Sequence, residues 1–294
     1  MDKILISISG ILCSLLVAVV VGLAGSTGGK EIATIPVFFA CGLFAFVTQW
    51  VAFLPAYLYQ TEKYFDLLGS ITYVTLALAA LFFSSMEPGS VVIAFMVSIW
   101  AGRLGSFLFF RIKRVGHDSR FRTIKTDFLQ FLMTWTLQGL WVFITFSAGL
   151  AAITSGRAHP LDGIVVVGCL IWLIGFLIEV IADNQKSEFR LKDGNAGKFI
   201  QDGLWAMSRH PNYFGEIMLW TGIAVAASPA LVGMQYVTLI SPLFVVLLLT
   251  KLSGVRMLEH RAKKRWGQEP DFIEYQEKTP MLVLNPFLIG TTSR

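Results

Sequence analysis

An all-α, polytopic membrane helix bundle is the fold class this sequence predicts, and three observations predict it. Of its 294 residues, 55 % are hydrophobic and only 15 % are charged, a balance that soluble domains do not reach. The apolar residues fall into windows of about 20, the length a helix needs to cross the hydrocarbon core. Lysine and arginine collect in a few connections between those windows, as the positive-inside rule requires of short cytoplasmic loops.

Taken in order, the windows run over 4–24, 35–59, 67–86, 91–110, 128–153 and 161–182. The stretch 213–250 is long enough for two more, broken near Ala227, Ser228, Pro229 and Ala230. About eight helices are therefore expected, in one integral membrane domain over 1–294. Residues 1–182 supply spans with short connections, and 183–294 alternate spans with charged segments. The first window, behind Lys3, also has the look of a signal sequence. Its apolar run is too long for an h-region and no small-x-small cleavage site follows, so a retained span is expected.

Three cysteines, Cys13, Cys41 and Cys169, lie singly in apolar windows. With no CxxC or Cys/His cluster, neither a metal site nor a disulfide framework is expected. The net charge of +5 is a topology signal first. Arg111, Lys113, Arg114, Arg120, Arg122 and Lys125 sit in one connection, and Lys186, Arg190, Lys192, Lys198 and Arg209 in another. The 84–90 and 226–235 turns carry no Lys or Arg. With eight spans every basic connection falls on one side, so the loops and C-terminus are expected to be cytoplasmic. Basic residues at span ends, with no basic soluble domain, argue against nucleic acid as a partner. No protein partner is evident either. In the tail, Val255 to Trp266 reads as a helix with Arg256, Glu259 and Lys263 on one side, ended by Gly267 and blocked by Pro270. Such a tail would lie along the membrane face.

Ionisable groups at the edge of a span are costly, and function is their default explanation. The segment DNQKSEFRLKDGNAGKFIQDGLWAMSRHPNYFGE, from Asp183 to Glu216, holds most of them. Asp183, Lys186 and Arg190, at i, i+3 and i+7, share one face of a helix extending the sixth span. The cations suit phosphate and the acid suits a hydroxyl or amide; a solvated helix end is the other reading. Pro211 fits the first turn of a new helix, placing Asn212 and Glu216 on one face. A helix N-terminus attracts anions, and Arg209 beside it strengthens that field; plain helix entry with a capping His210 is the alternative. Arg103, two turns inside the fourth window, needs an acid or phosphate partner. Glu62 and Asp66, four apart before the third span, are candidate proton donors, with Tyr64 and Tyr73 nearby. Gln49, Gln130 and Gln138 are intramembrane amides that bond either a ligand carbonyl or a neighbouring helix. No GxGxxG, P-loop, Ser-His-Asp or HExxH pattern occurs.

The run Asp183-Asn184-Gln185-Lys186, Phe189-Arg190, Gly203-Leu204-Trp205 and Arg209-His210-Pro211-Asn212-Tyr213-Phe214-Gly215-Glu216 resembles the steroid 5α-reductase and sterol reductase superfamily. Within it, the chain is similar to the bacterial steroid 5-alpha reductase-like (DUF1295-type) membrane proteins. The likeness continues through Arg261, Trp266-Gly267 and Tyr275 to Pro280. It implies a seven-span reductase core, to which the first span is an addition, in a bacterial inner membrane. It implies NADPH as cofactor and a steroid or isoprenoid lipid as substrate, reduced at a double bond conjugated to a ketone. Lys186, Arg190, Asn212 and Tyr213 would contact the cofactor, and Asp183, Trp205, Glu216, Arg114 and Tyr275 are further matched positions, joined by Arg209 and His210. Asp66 falls where these enzymes keep a catalytic Glu, and Trp100 stands where they have a catalytic Tyr. Asp66 is the first candidate acid, with Tyr64 and Glu62 beside it. A carboxyl kept neutral by an apolar site would polarise the enone. The rival class is an S-adenosylmethionine-dependent isoprenylcysteine or phospholipid methyltransferase, which shares the Arg-His-Pro-x-Tyr helix. The two cations after Asp183 favour a 2′-phosphorylated dinucleotide over a sulfonium.

Overall fold

The computed structural model describes residues 3–252 and 254–288, so the last six tail residues lie outside it. It consists of α1 (Lys3–Gly25), α2 (Val37–Leu58), α3 (Phe65–Phe82), α4 (Pro88–Val115), α5 (Phe128–Thr154) and α6 (Gly163–Leu191). The second part holds α7 (Leu204–Met207), α8 (Pro211–Ala227), α9 (Ser241–Leu247), α10 (Val255–Trp266) and α11 (Pro270–Lys278). A two-stranded hairpin, Glu31–Ile32 against Ile35–Pro36, precedes α2 and was not expected. Among the described residues, seven helical stretches are long and apolar enough to cross a bilayer: α1 to α6, and Gly233–Trp266, whose apolar part ends at Leu252. The eighth expected span is α8, with 17 residues. It ends where the sequence pointed, at the 3₁₀ turn Ser228–Ala230 around Pro229, since proline cannot continue the ladder.

Local chemistry explains the boundaries. Pro88 opens α4 at a position where its missing N–H is harmless, and Gly116, at φ 89°, closes it in the left-handed conformation. Asp127 caps α5 by accepting the Gln130 N–H at 2.9 Å, and Asp162 does the same for Ile164 and Val165 at the start of α6. α3 opens only at Phe65. Glu62 therefore lies in the preceding turn, outside the helix that carries Asp66.

The chain divides into two compact units: 1–166 with 223–241, and 167–222 with 242–294. In the first, α5 is the central helix, with 89 % of its apolar window buried. Small residues let its neighbours close on it. A Cβ at Gly42 would meet the Phe143 ring at 2.8 Å, and one at Gly139 would meet the Phe46 backbone at 3.2 Å. This is the packing available where water supplies no driving force between helices. Tyr73 lies edge-on to Trp100 and Trp141, at 5.2 and 5.6 Å between ring centroids.

In the second unit, α6 and α8 cross at backbone contact. A Cβ at Gly215 would lie 2.6 Å from the Gly175 carbonyl oxygen, and one at Gly222 would lie 2.5 Å from the Trp172 nitrogen. Only glycine fits there. That crossing brings the charged end of α6 against the first turn of α8.

Candidate functional site

Three elements of the second unit converge on the turn between α7 and α8. From α6, Asp183 is buried and accepts the Asn212 Nδ2–H at 3.3 Å. Lys186 holds its ammonium 4.1 Å from the centre of the Trp205 ring, a cation–π contact. Trp205 is fixed at both ends: its indole N–H donates to the Ala182 carbonyl at 3.0 Å, and its own carbonyl accepts the Tyr275 hydroxyl at 2.7 Å. Gln185 accepts the Leu204 N–H at 3.0 Å and packs under Gly203, whose φ of 61° suits glycine. Arg190 is exposed on the last turn of α6, while Glu216 is buried one turn into α8.

Below the turn sits a residue that sequence reasoning gave no role. Glu259 of α10 accepts His210 Nε2–H at 2.8 Å, forms an ion pair with Arg209 Nη1, and accepts Gln276 Nε2–H at 3.1 Å. The signal was present: Glu259 is the lone acid in a helix of six basic residues. Burial pushes the His210 pKa below its ordinary value; Glu259 opposes this, and Lys186 and Arg209 reinforce it. His210 is thus neutral near pH 7. With Nε2–H given to Glu259, its Nδ1 is a buried acceptor with no hydrogen-bond partner among the described residues. The His210 and Tyr213 rings are near-parallel at 5.7 Å. Burial also raises the Tyr275 pKa, so its phenol stays a donor.

The tail closes over the same turn. Arg209 N–H donates to the Pro280 carbonyl at 2.9 Å, and Arg209 Nε–H to that of Thr279 at 3.1 Å. Ser208 Oγ–H donates to Leu282 at 2.8 Å, and Asn285 N–H to Met207 at 2.9 Å. Of the expected positions, Asp183, Lys186, Trp205, Arg209, His210, Asn212, Tyr213 and Tyr275 are brought together here by these contacts. Arg114, exposed at the end of α4, belongs to the first unit.

The first unit carries the candidate acids. Glu62 is buried and held by Lys125 Nζ at 2.6 Å and by the Asp118 N–H at 3.0 Å. Burial opposes its charge, but these donors outweigh burial and hold its pKa below the ordinary range. Glu62 is therefore an ion-pair partner with no proton to give near neutrality. Asp66 lies 3.4 Å from Arg120, which sits closer to Asp118, at 2.6 Å. Tyr64 is 60 % exposed and stacks on Phe109 at 6.2 Å. Gln49 bonds a neighbouring helix, donating to Thr72 Oγ1 at 2.9 Å. Arg103 places its guanidinium 5.1 Å from the Phe107 ring. Among the described residues no group of three His, Cys, Asp or Glu is placed to hold a metal.

Seven apolar spanning stretches and a charged cluster at the ends of α6 and α8 define a polytopic helical membrane protein. The chain belongs to the DUF1295 family, described as proteins of unknown function, whose profile matches residues 52–279. It is 30 % identical over 90 residues to the Delta(14)-sterol reductase of Arabidopsis thaliana, covering 27 % of this chain and 24 % of the relative. It is 40 % identical over 63 residues to 3-oxo-5-alpha-steroid 4-dehydrogenase 1 of Homo sapiens, covering 21 % and 24 %. It is 26 % identical over 100 residues to the probable O-methyltransferase ustE of Ustilaginoidea virens, covering 34 % and 35 %. The chain thus spans only a quarter to a third of the length of these relatives. No solved structure matches it.

Proposed function

We propose that this protein is an NADPH-dependent membrane reductase of a carbon–carbon double bond conjugated to a ketone in a steroid-like or isoprenoid lipid. The observation that carries the reading is the placement of Lys186 and Arg190 on the last turns of α6, with Lys186 near His210 at the start of α8. These two cations serve a phosphorylated dinucleotide, supported by the positive end of α8. Asn212 and Tyr213 add hydrogen-bonding groups, and the orphaned His210 Nδ1 offers an acceptor to a ribose hydroxyl or carboxamide. The residues present therefore fit the cofactor. The sterol reductase and steroid dehydrogenase relatives support the same class.

NADPH, when bound, supplies the hydride. Asp66, in its neutral form, donates a hydrogen bond to the enone oxygen and favours hydride addition at the β-carbon. Its side chain is 18 % exposed and its contact with Arg120 is long, because Arg120 is drawn to Asp118. The resulting enolate takes a proton at the α-carbon from solvent water, which leaves as hydroxide, giving the saturated ketone. Lys186, whose ammonium lies over the Trp205 ring, and Arg190 grip phosphate. On this reading the cofactor loops face the cytoplasm at a bacterial inner membrane, which the basic connections at the span ends support.

The test is NADPH oxidation by detergent-purified protein with a 3-oxo-Δ4 steroid and a set of isoprenoid enones. Arg190→Ala should raise the KM for NADPH roughly 10-fold or more, the loss of one charge-assisted hydrogen bond. Asp66→Asn should lower kcat by about 10²-fold with the NADPH KM unchanged. A second reading follows from the O-methyltransferase relative: the same turn would hold S-adenosylmethionine. Binding of S-adenosylmethionine with no NADPH turnover on any enone would replace the first reading with the second.

A further inference from the structure

α10 has two faces of opposite character. Val255 is buried, Glu259 is committed to Arg209 and His210, and Trp266 donates to the Gly197 carbonyl. These positions form one side of the helix and fasten it to its own unit. The exposed arc that remains carries Arg256 and Lys263, which flank Glu259 at i−3 and i+4, with Lys264 and Arg265 further round, and Lys251 is exposed just before it. No acidic side chain among the described residues pairs with any of these five. Lysine and arginine that balance no internal acid raise the local potential and await a counter-charge from outside.

The position of the arc says where that charge comes from. The apolar stretch that begins at Gly233 ends in the π-helical turn Leu248–Leu252, and α10 opens at Val255. A helix starting so soon after a span lies at the level of the lipid headgroups. Leu252, 71 % exposed between Lys251 and α10, and Val283 and Phe287, 62 % and 89 % exposed in the tail, are apolar groups that water would not favour and an interface would. A polybasic helix with apolar flanks, directly following a span, suits a negatively charged membrane surface.

We infer that the outer face of α10 binds anionic phospholipid headgroups of the membrane that the chain spans. The bound headgroups hold α10 from outside, while Glu259 fastens it to the α7–α8 turn from inside. This role is independent of which cofactor the turn takes.

The experiment is native mass spectrometry of the full chain from a neutral detergent, with equimolar phosphatidylglycerol and phosphatidylcholine of identical acyl chains. Wild type should retain phosphatidylglycerol at least 10-fold over phosphatidylcholine, the preference weakening with salt. Removing cations should cost roughly fivefold in headgroup affinity for each, so Lys263→Gln/Lys264→Gln/Arg265→Gln should bring retention close to parity. Glutamine keeps helix propensity at exposed sites, so the variant folds. Lys263→Arg/Lys264→Arg keeps the charge and should keep the preference. NADPH affinity, measured in parallel, should stay within about twofold in both. Unchanged phosphatidylglycerol retention in the triple glutamine variant would overturn the inference. A parallel loss of NADPH affinity would overturn it too, by assigning the arc to nucleotide phosphate, as would a lost preference in the arginine variant.

Discussion

Glu259 is the place where one substitution should undo the most. Its carboxylate takes hydrogen bonds from Arg209, His210 and Gln276, and it is the contact between α10 and the turn that opens α8. Glu259→Ala strands a guanidinium that is 17 % exposed and an imidazole that is 7 % exposed. Breaking a fully buried pair from one side costs about 3–5 kcal/mol. Glu259 itself is 24 % exposed, so water recovers part of this and about 2–3 kcal/mol is the expected loss. Borne by tail docking, that is roughly a 30- to 150-fold shift toward an undocked tail. Limited proteolysis in detergent reads it directly, since cleavage of a transiently open segment follows its open population. Cleavage between α10 and residue 288 should accelerate by one to two orders of magnitude, while α1 to α6 stay protected. Glu259→Gln keeps two acceptor lone pairs and should fall between wild type and alanine. The histidine gives a second readout. Glu259 is what raises the His210 pKa against burial and its cationic neighbours, so both variants should move its titration to lower pH. A tail no more cleavable in Glu259→Ala than in wild type would refute the claim that this carboxylate holds α10 in place.

Gly215→Ala forces a Cβ to within 2.6 Å of the Gly175 carbonyl oxygen. The α6–α8 crossing must widen, and we expect about 2 kcal/mol or more of destabilisation, seen as a lower Tm in detergent. Gly102→Ala, whose added Cβ meets nothing within 4 Å, should leave Tm unchanged. The Glu62–Lys125 pair predicts a pH dependence. The folded-state pKa of Glu62 lies below its ordinary value, so its contribution is present above the unfolded pKa and lost as pH falls through the folded one. Acid unfolding of wild type should therefore be steeper below about pH 4.5 than that of Glu62→Gln, which lacks this titration. Identical acid profiles would contradict the pairing.

The bundle was legible because its determinants are local. A run of apolar residues over 128–153 has no soluble alternative, and Pro229 announces the break after α8 without any knowledge of tertiary contacts. The convergence at the α7–α8 turn was half legible. Asp183, Lys186 and Arg190 follow from helical spacing along α6, but the meeting of Asp183 with Asn212 depends on glycines at 175 and 215 that allow two backbones to touch. Nothing in the local pattern distinguishes those glycines from the others in the chain. Glu259 was missed because its partners, Arg209 and His210, lie about 50 residues away in sequence. The surroundings of Glu62 were not legible: a turn precedes Phe65, and Lys125, from the α4–α5 connection, takes up its charge.

The bonds from Thr279, Pro280, Leu282 and Asn285 to the Met207–Arg209 turn have a consequence for synthesis. Every membrane-spanning stretch among the described residues is made before these residues leave the ribosome. A chain arrested near Lys251 would carry its full set of spans, insert normally, and still hold an unfinished turn between α7 and α8. Insertion of these spans and completion of the turn are therefore separate events, and the second waits on residues 279–285. A product terminated near Lys251 would be present in the membrane with the α7–α8 turn uncovered, which separates abundance from completion of the turn in any truncation series.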